Sequence, residues 1–210
     1  ISDMYPYLFE IGPITIASFG VMVALGFIAA LYILNLDFKR KGLDDELGST
    51  IITTCIVGGL LGAKLYFVLF ETPPNQDWET IFGQLFSGYG LTWYGGFLVA
   101  SAGVIWQIRR RNVPLGQVVD SVSIALALGY AIGRIGCQLA GDGDYGVATE
   151  LPWAMAYPDG VVPTLEKVHP APVYETLSHL GIAGLLWSLR MRIHPPGLLF
   201  AIYLVLAGGA

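Results

Sequence analysis

Apolar residues gather into six long runs: Ile14–Leu36, Leu47–Phe70, Leu91–Ile108, Val113–Leu139, Ala171–Leu189, and a sixth beginning at Gly197. The first holds no charge, the second is interrupted only by Lys64, the fourth holds Asp120 and Arg134, and the fifth holds Glu175 and His179. About 20 apolar residues of helix cross a bilayer core. Backbone polar groups cannot be left bare in lipid, so runs of this length are expected as helices. None alternates in the way a transmembrane barrel strand would. The pattern predicts an all-α, polytopic transmembrane helix bundle with six spans, forming one integral membrane domain over residues 1–210.

The charges between the runs orient the bundle. Lys39, Arg40 and Lys41 follow the first run, Arg109, Arg110 and Arg111 the third, and Arg190 and Arg192 the fifth. Eight of the eleven Lys and Arg thus follow odd-numbered runs. The positive-inside rule places those connections in the cytoplasm and the N-terminus outside. The outer connections are then 1–13, 71–90 and 140–170, and the long last one points to function on the outer face.

Composition agrees with a bilayer solvent. The chain is 54% hydrophobic and 13% charged, against about 25% charged in soluble domains, and its mean hydropathy is +0.62. The net charge of −5 comes with no basic stripe, which argues against a nucleic-acid partner. Cys55 and Cys137 both sit in apolar runs and are no disulfide framework. Met4 is read as the natural start, and the sixth run is read as cut short, so the domain is expected to be incomplete at its C-terminus.

Candidate chemistry gathers at one depth. Lys64 lies six residues before the outer end of its run, about 9 Å at 1.5 Å per residue, and Arg134 lies at a similar depth. Tyr94, Asp142, His169 and Glu175 are also expected in the outer half, and Asp144 follows Asp142. Taken singly, Lys64 or Arg134 is equally well read as a base snorkelling to the headgroups, and Trp93–Tyr94 as an interfacial aromatic pair. Glu175 and His179, spaced i, i+4, make no metal site by themselves. Asp120, in the inner half, is expected to pair with a cytoplasmic-side base. The G-x-x-x-G spacings Gly58–Gly62 and Gly129–Gly133 read as close helix packing. Together, ionisable groups within spans usually face a cavity and one another. The prediction is a polar chamber open to the outer leaflet, with Arg134 suited to a lipid phosphate through its guanidinium fork.

Five collinear stretches carry a family resemblance: "YLFEIGPITIASFGVMVALGF", "GGLLGAKLYFVLF", "GLTWYGGFL", "GRIGCQLAGDGDYG" and "HPAPVYETL". Over nearly its whole length the chain resembles prolipoprotein diacylglyceryl transferase, a multi-pass enzyme of the bacterial inner membrane. The resemblance implies transfer of a diacylglyceryl group from phosphatidylglycerol to the lipobox cysteine thiol of a prolipoprotein signal peptide, giving a thioether and glycerol phosphate. It implies catalytic roles for Arg134, Tyr94 and Asp142. It implies substrate binding by Lys64, Gly95, Gly96, Cys137, Gly146, His169, Tyr174 and Glu175, with membrane lipids around them and no metal or organic cofactor. The chain departs from the family pattern at five positions. Tyr94 stands for a usual histidine, Phe19 for tyrosine, Lys64 for arginine, Cys137 for asparagine and Asp142 for glutamate. A second arginine of the family belongs to a helix beyond Ala210. The alternative reading, prompted by Tyr94 and Phe19, is a non-catalytic phospholipid- or peptide-binding membrane protein on the same fold. A small-solute transporter ranks below both, because the polar groups lie away from the midplane.

Overall fold

The computed structural model describes residues 4–12, 14–73, 77–86, 90–193 and 195–210. Seven α-helices run through the described residues: α1 (Ser18–Lys41), α2 (Asp45–Tyr66), α3 (Trp78–Phe86), α4 (Trp93–Arg110), α5 (Leu115–Ala140), α6 (Ala171–Leu189) and α7 (Leu198–Gly208). The molecule is mostly helical, as the runs predict, and α6 coincides with its run to the residue. Among the described residues, three helical stretches are long and apolar enough to cross a membrane: Ser18–Lys41, Glu46–Glu71 and Leu115–Ala140.

The all-α expectation needs two corrections. The first apolar run does not open as helix: Tyr7–Ile11 (β1) and Ile14–Ala17 (β2) pair antiparallel. Isoleucine and threonine fill β2, and β-branched side chains fit a pleated strand better than a helix start. The helix begins only at Ser18, whose backbone N–H and hydroxyl both donate to the Pro6 carbonyl, at 3.0 and 3.2 Å. A second hairpin, Met155–Tyr157 (β3) with Thr164–Val168 (β4), lies between α5 and α6. Two further departures are helical. α2 ends in a π-helical turn, Phe67–Glu71, and α3 occupies the 71–90 connection.

The chain divides into two compact units, Ile1–Asp37 with Val119–Ala210, and Phe38–Val118. In the second unit α2 and α4 meet along a glycine seam. A Cβ on Gly62 would fall 2.4 Å from the Gly95 carbonyl oxygen, one on Gly95 2.3 Å from the Gly62 carbonyl oxygen, and one on Gly96 2.8 Å from that of Gly59. Backbones approach this closely only where no side chain intervenes, as in membrane helix pairs. Asp44 caps α2, its Oδ1 accepting from Glu46 N at 2.9 Å.

In the first unit the core is Ile124, Ala127, Ile182, Ala183, Leu186 and Leu199, from α5, α6 and α7. α1 and α5 approach where a Cβ on Gly26 would lie 3.1 Å from the Gly129 carbonyl oxygen, whereas one on Gly133 would meet nothing within 4 Å. Of the second G-x-x-x-G spacing, Gly129 alone therefore lies at a close approach. Buried Asp37 on α1 accepts from Ser121 Oγ at 2.6 Å and lies 3.7 Å from Arg190 Nε. Asp120 differs from its expectation. Its two carboxylate oxygens accept from Gly197 N and Phe200 N, at 2.8 and 2.9 Å. It caps α7, whose own preceding residue, Gly197, has φ +90° and no side chain to do so.

Candidate active site

The C-terminal end of α5 builds the site. Tyr130, Arg134 and Cys137 follow one another at helical spacing, so one face of α5 carries all three. Past Ala140 the chain turns through Gly141 (φ +58°) and Gly143 (φ +96°). Both conformations favour glycine. Gly141 also abuts Gly160 so closely that a Cβ would lie 2.8 Å from the Gly160 Cα. The turn is pinned at both ends. Val161 N and Val162 N donate to Ala140 O and Gly141 O at 2.9 Å, and Gly146 N donates to His169 O at 2.9 Å. Asp142 and Asp144 lie between the pins.

This turn brings an acid back onto the helix. Arg134 Nη1 donates to Asp144 Oδ2, and Nη2 donates to Glu175 Oε1 at 2.8 Å. The guanidinium is thus held by carboxylates from two elements, its side chain 14% exposed against 50% for Asp144 and 26% for Glu175. Arg134 Nη1 also reaches Cys137 Sγ at 3.5 Å. Arg134 Nε is buried with no hydrogen-bond partner, so the fork has donor capacity left for an oxygen ligand. Glu175 is itself held, because Tyr130 donates its hydroxyl proton to Oε2. His179 Nδ1 lies 3.0 Å from the Glu175 carbonyl oxygen, and its ring packs on Tyr130 with centroids 4.1 Å apart.

A second polar group flanks this centre, from the α5–α6 connection and the start of α6. Tyr174 OH accepts from Trp153 Nε1 at 2.7 Å and lies 3.2 Å from His169 Nδ1. Gly146 is packed on His169, whose Cβ would stand 3.0 Å from a Cβ on the glycine.

Of the expected site residues, the first unit joins Arg134 with Cys137 and Glu175, places Asp142 beside them, and joins His169 with Tyr174 and Gly146. Lys64 and Tyr94 belong to the second unit. There Lys64 Nζ donates to Gln84 O of α3 at 2.8 Å. Tyr94 is exposed at the start of α4, edge-on to Trp93. Gly95 and Gly96 are buried in the α2–α4 seam. Phe19 faces Gly136 across the α1–α5 approach, its Cα 3.3 Å from where a Cβ would stand.

A cation is a weaker fit than an anion. Cys137 Sγ and carboxylate oxygens of Asp142 and Asp144 lie within 4.8 Å of one another. Arg134 already touches the first and the last of these groups, so a fixed positive charge stands where a metal would have to. An arginine with a buried donor left unfilled suits an oxyanion better than a cation.

Comparison with known proteins gives the family. Residues 6–210 match the profile of the family described as Prolipoprotein diacylglyceryl transferase. The chain belongs to this family. Relatives named phosphatidylglycerol–prolipoprotein diacylglyceryl transferase include that of Leptospira interrogans serogroup Icterohaemorrhagiae serovar copenhageni, 31% identical over 203 residues and covering 84% of this chain. The chain spans about 63% of the length of that relative. The protein of Clostridium tetani is 30% identical over 207 residues, covering 98% of this chain and 82% of its own. That of Synechococcus elongatus is 30% identical over 210 residues, covering 95% and 72%.

Within this prolipoprotein diacylglyceryl transferase fold, two contributors to the arginine centre, Tyr130 and Asp144, and one partner of Tyr174, Trp153, were absent from the expected site. Tyr130 stands four residues before Arg134, a spacing that puts the two on one helix face and could have flagged it. Asp144 and Trp153 depend on the path of the chain between α5 and α6, which no periodicity reports.

Proposed function

We propose that the protein transfers a diacylglyceryl group from phosphatidylglycerol to the lipobox cysteine of a prolipoprotein, at the outer leaflet of the bacterial inner membrane. The observation that carries this reading is Arg134, half-buried with one nitrogen unpartnered and two carboxylates fixing its plane. In the reaction the cysteine thiolate attacks the glycerol carbon bonded to phosphate. A C–S bond forms, the C–O bond breaks, and its electron pair leaves on the phosphate of glycerol phosphate. Charge therefore builds on phosphate oxygens, and a positioned guanidinium stabilises it in a site of low dielectric. Holding lipid and peptide in line supplies a further share of the acceleration. Tyr94 is assigned the part of a hydrogen-bond donor to a phosphate or glycerol oxygen, through its phenol O–H. His169 and Tyr174 fit a role at the peptide or glycerol end, and Asp142 one of supporting the turn beside Arg134.

The six-span topology with an outer N-terminus belongs to the same proposal. Its support is that Lys39–Lys41 end α1, Arg109 and Arg110 end α4, and Arg190 and Arg192 follow α6.

The test is direct. The full-length protein, in nanodiscs containing phosphatidylglycerol, is given a lipobox peptide, and thioether product and released glycerol phosphate are measured together. The expected result is equimolar formation of both, abolished in Arg134→Ala. Well-folded protein that binds phosphatidylglycerol and releases no glycerol phosphate would overturn the enzymatic reading in favour of lipid binding alone.

A further inference from the structure

We propose that the Asp144 carboxylate is a displaceable stand-in for the lipid phosphate, holding one arm of Arg134 in the empty site and yielding it when a phosphodiester arrives. The inference rests on the proposed reaction and adds a residue that sets the affinity for its lipid. Three observations carry it. The two arms of the guanidinium are held unequally. Glu175 is the more enclosed carboxylate, and its second oxygen is taken by Tyr130. It also sits on α6 beside Thr176, whose hydroxyl reaches the Ala131 carbonyl of α5 at 3.4 Å. Asp144 is half exposed and lies on a turn, next to Gly143 in a left-handed conformation. The backbone on either side of it is pinned, at Gly141 and at Gly146, so the side chain turns away while the turn stays in place.

Charge makes the exchange necessary. Arg134 already faces two carboxylates, and a phosphodiester added to them would set three anions on one cation in a poorly solvated place. Like charges so confined repel strongly, and the anion that leaves is the one water can take back at least cost. That is Asp144. A carboxylate and a phosphodiester present the same pair of oxygens to a guanidinium fork, so the arginine keeps its geometry through the exchange. Glu175 remains as the fixed half of the clamp. The empty site is thereby held closed to weak anions, because any ligand must outcompete a carboxylate tethered beside it.

The experiment titrates glycerol phosphate and, separately, inorganic phosphate into the full-length protein in phosphatidylcholine nanodiscs, read by calorimetry and by thermal shift. Wild type is compared with Asp144→Asn and Asp144→Ala. Both variants should bind glycerol phosphate on the order of fivefold more tightly, the scale of a partly exposed ion pair. Both should melt lower than wild type when empty, yet gain more from the ligand. In turnover, the KM for phosphatidylglycerol should fall by a similar factor while kcat does not rise. A purely structural Asp144 would lower the melting temperature without tightening binding, and unchanged or weaker binding in both variants overturns the proposal. If wild type still turns over, that result leaves the proposed reaction standing. Wild type that neither turns over nor binds glycerol phosphate removes the reaction and the competition together.

Discussion

At the scale of single residues, the site is an arginine with its plane fixed from two sides. Arg134→Lys keeps the charge and loses the fork, and an ammonium cannot hold the Glu175 carboxylate and a phosphate in one plane. The transfer rate is expected to fall at least about 100-fold, with folded protein retained, as measured by glycerol phosphate release. Tyr130→Phe is subtler. It removes the donor to Glu175 Oε2 and leaves the ring that packs on His179. A lost hydrogen bond to a charged group costs about 1.5–3 kcal/mol. The expected result is a lower melting temperature and a raised KM for phosphatidylglycerol, with a smaller loss in kcat than Arg134→Lys causes. Equal losses in both variants would mean that Tyr130 touches substrate itself.

At the scale of elements, glycine decides which helices meet. Gly62→Ala drives a methyl into the Gly95 carbonyl and the Val99 side chain, at 2.4 and 2.7 Å, whereas Gly59→Ala on the same helix meets nothing within 4 Å. The first is expected to destabilise by about 1–3 kcal/mol. The second should be neutral or stabilising by up to about 1 kcal/mol through helix propensity. Paired thermal melts in detergent separate them. The β3–β4 hairpin gives a pH signature. Tyr157 is buried and donates to Gln138 Oε1 at 2.9 Å, and burial pushes its phenol above the ordinary value of 10. Its neutral form is favoured in the fold. The contribution is therefore intact below about pH 10 and is lost as pH rises through the raised value. Melting temperature should drop more steeply above pH 10 in wild type than in Tyr157→Phe.

The helices were legible wherever an apolar run ended in a clear polar signal. α6 starts after His169–Pro170 and stops before Arg190, and run and helix coincide. The boundary between β2 and α1 was hidden because Ile14–Ala17 is as apolar as the helix that follows, and hydropathy does not separate strand from helix in one continuous run. Arg134 and Glu175 could be found because ionisable groups in apolar helices are conspicuous. Asp144 could not be joined to Arg134 in advance, since their meeting depends on two left-handed glycines that turn the chain back on itself. Asp120 was misassigned for a related reason: its partners are backbone N–H groups, which no pattern of side chains announces.

At the scale of the whole molecule, the family match and the basic clusters bear on how the chain lies in the membrane. In Gly42→Cys the new thiol follows the Lys39–Lys41 cluster, and in Asp159→Cys it lies between α5 and α6. With Cys55 replaced by alanine in both, a membrane-impermeant thiol reagent added to intact spheroplasts should label the Asp159 position. The Gly42 position should label only after the membrane is opened. The reverse pattern would invert the topology and remove the outer-leaflet site with it. The cap on α7 bears on biogenesis. Its two donors lie 77 and 80 residues downstream of Asp120, so a ribosome finishes α5 long before those donors exist. Until Gly197 and Phe200 have been made and docked, the nascent chain holds a carboxylate in an apolar helix without the backbone partners it has in the finished fold. A quality-control protease or insertion chaperone that senses such a charge would have a way to tell an unfinished copy from a finished one.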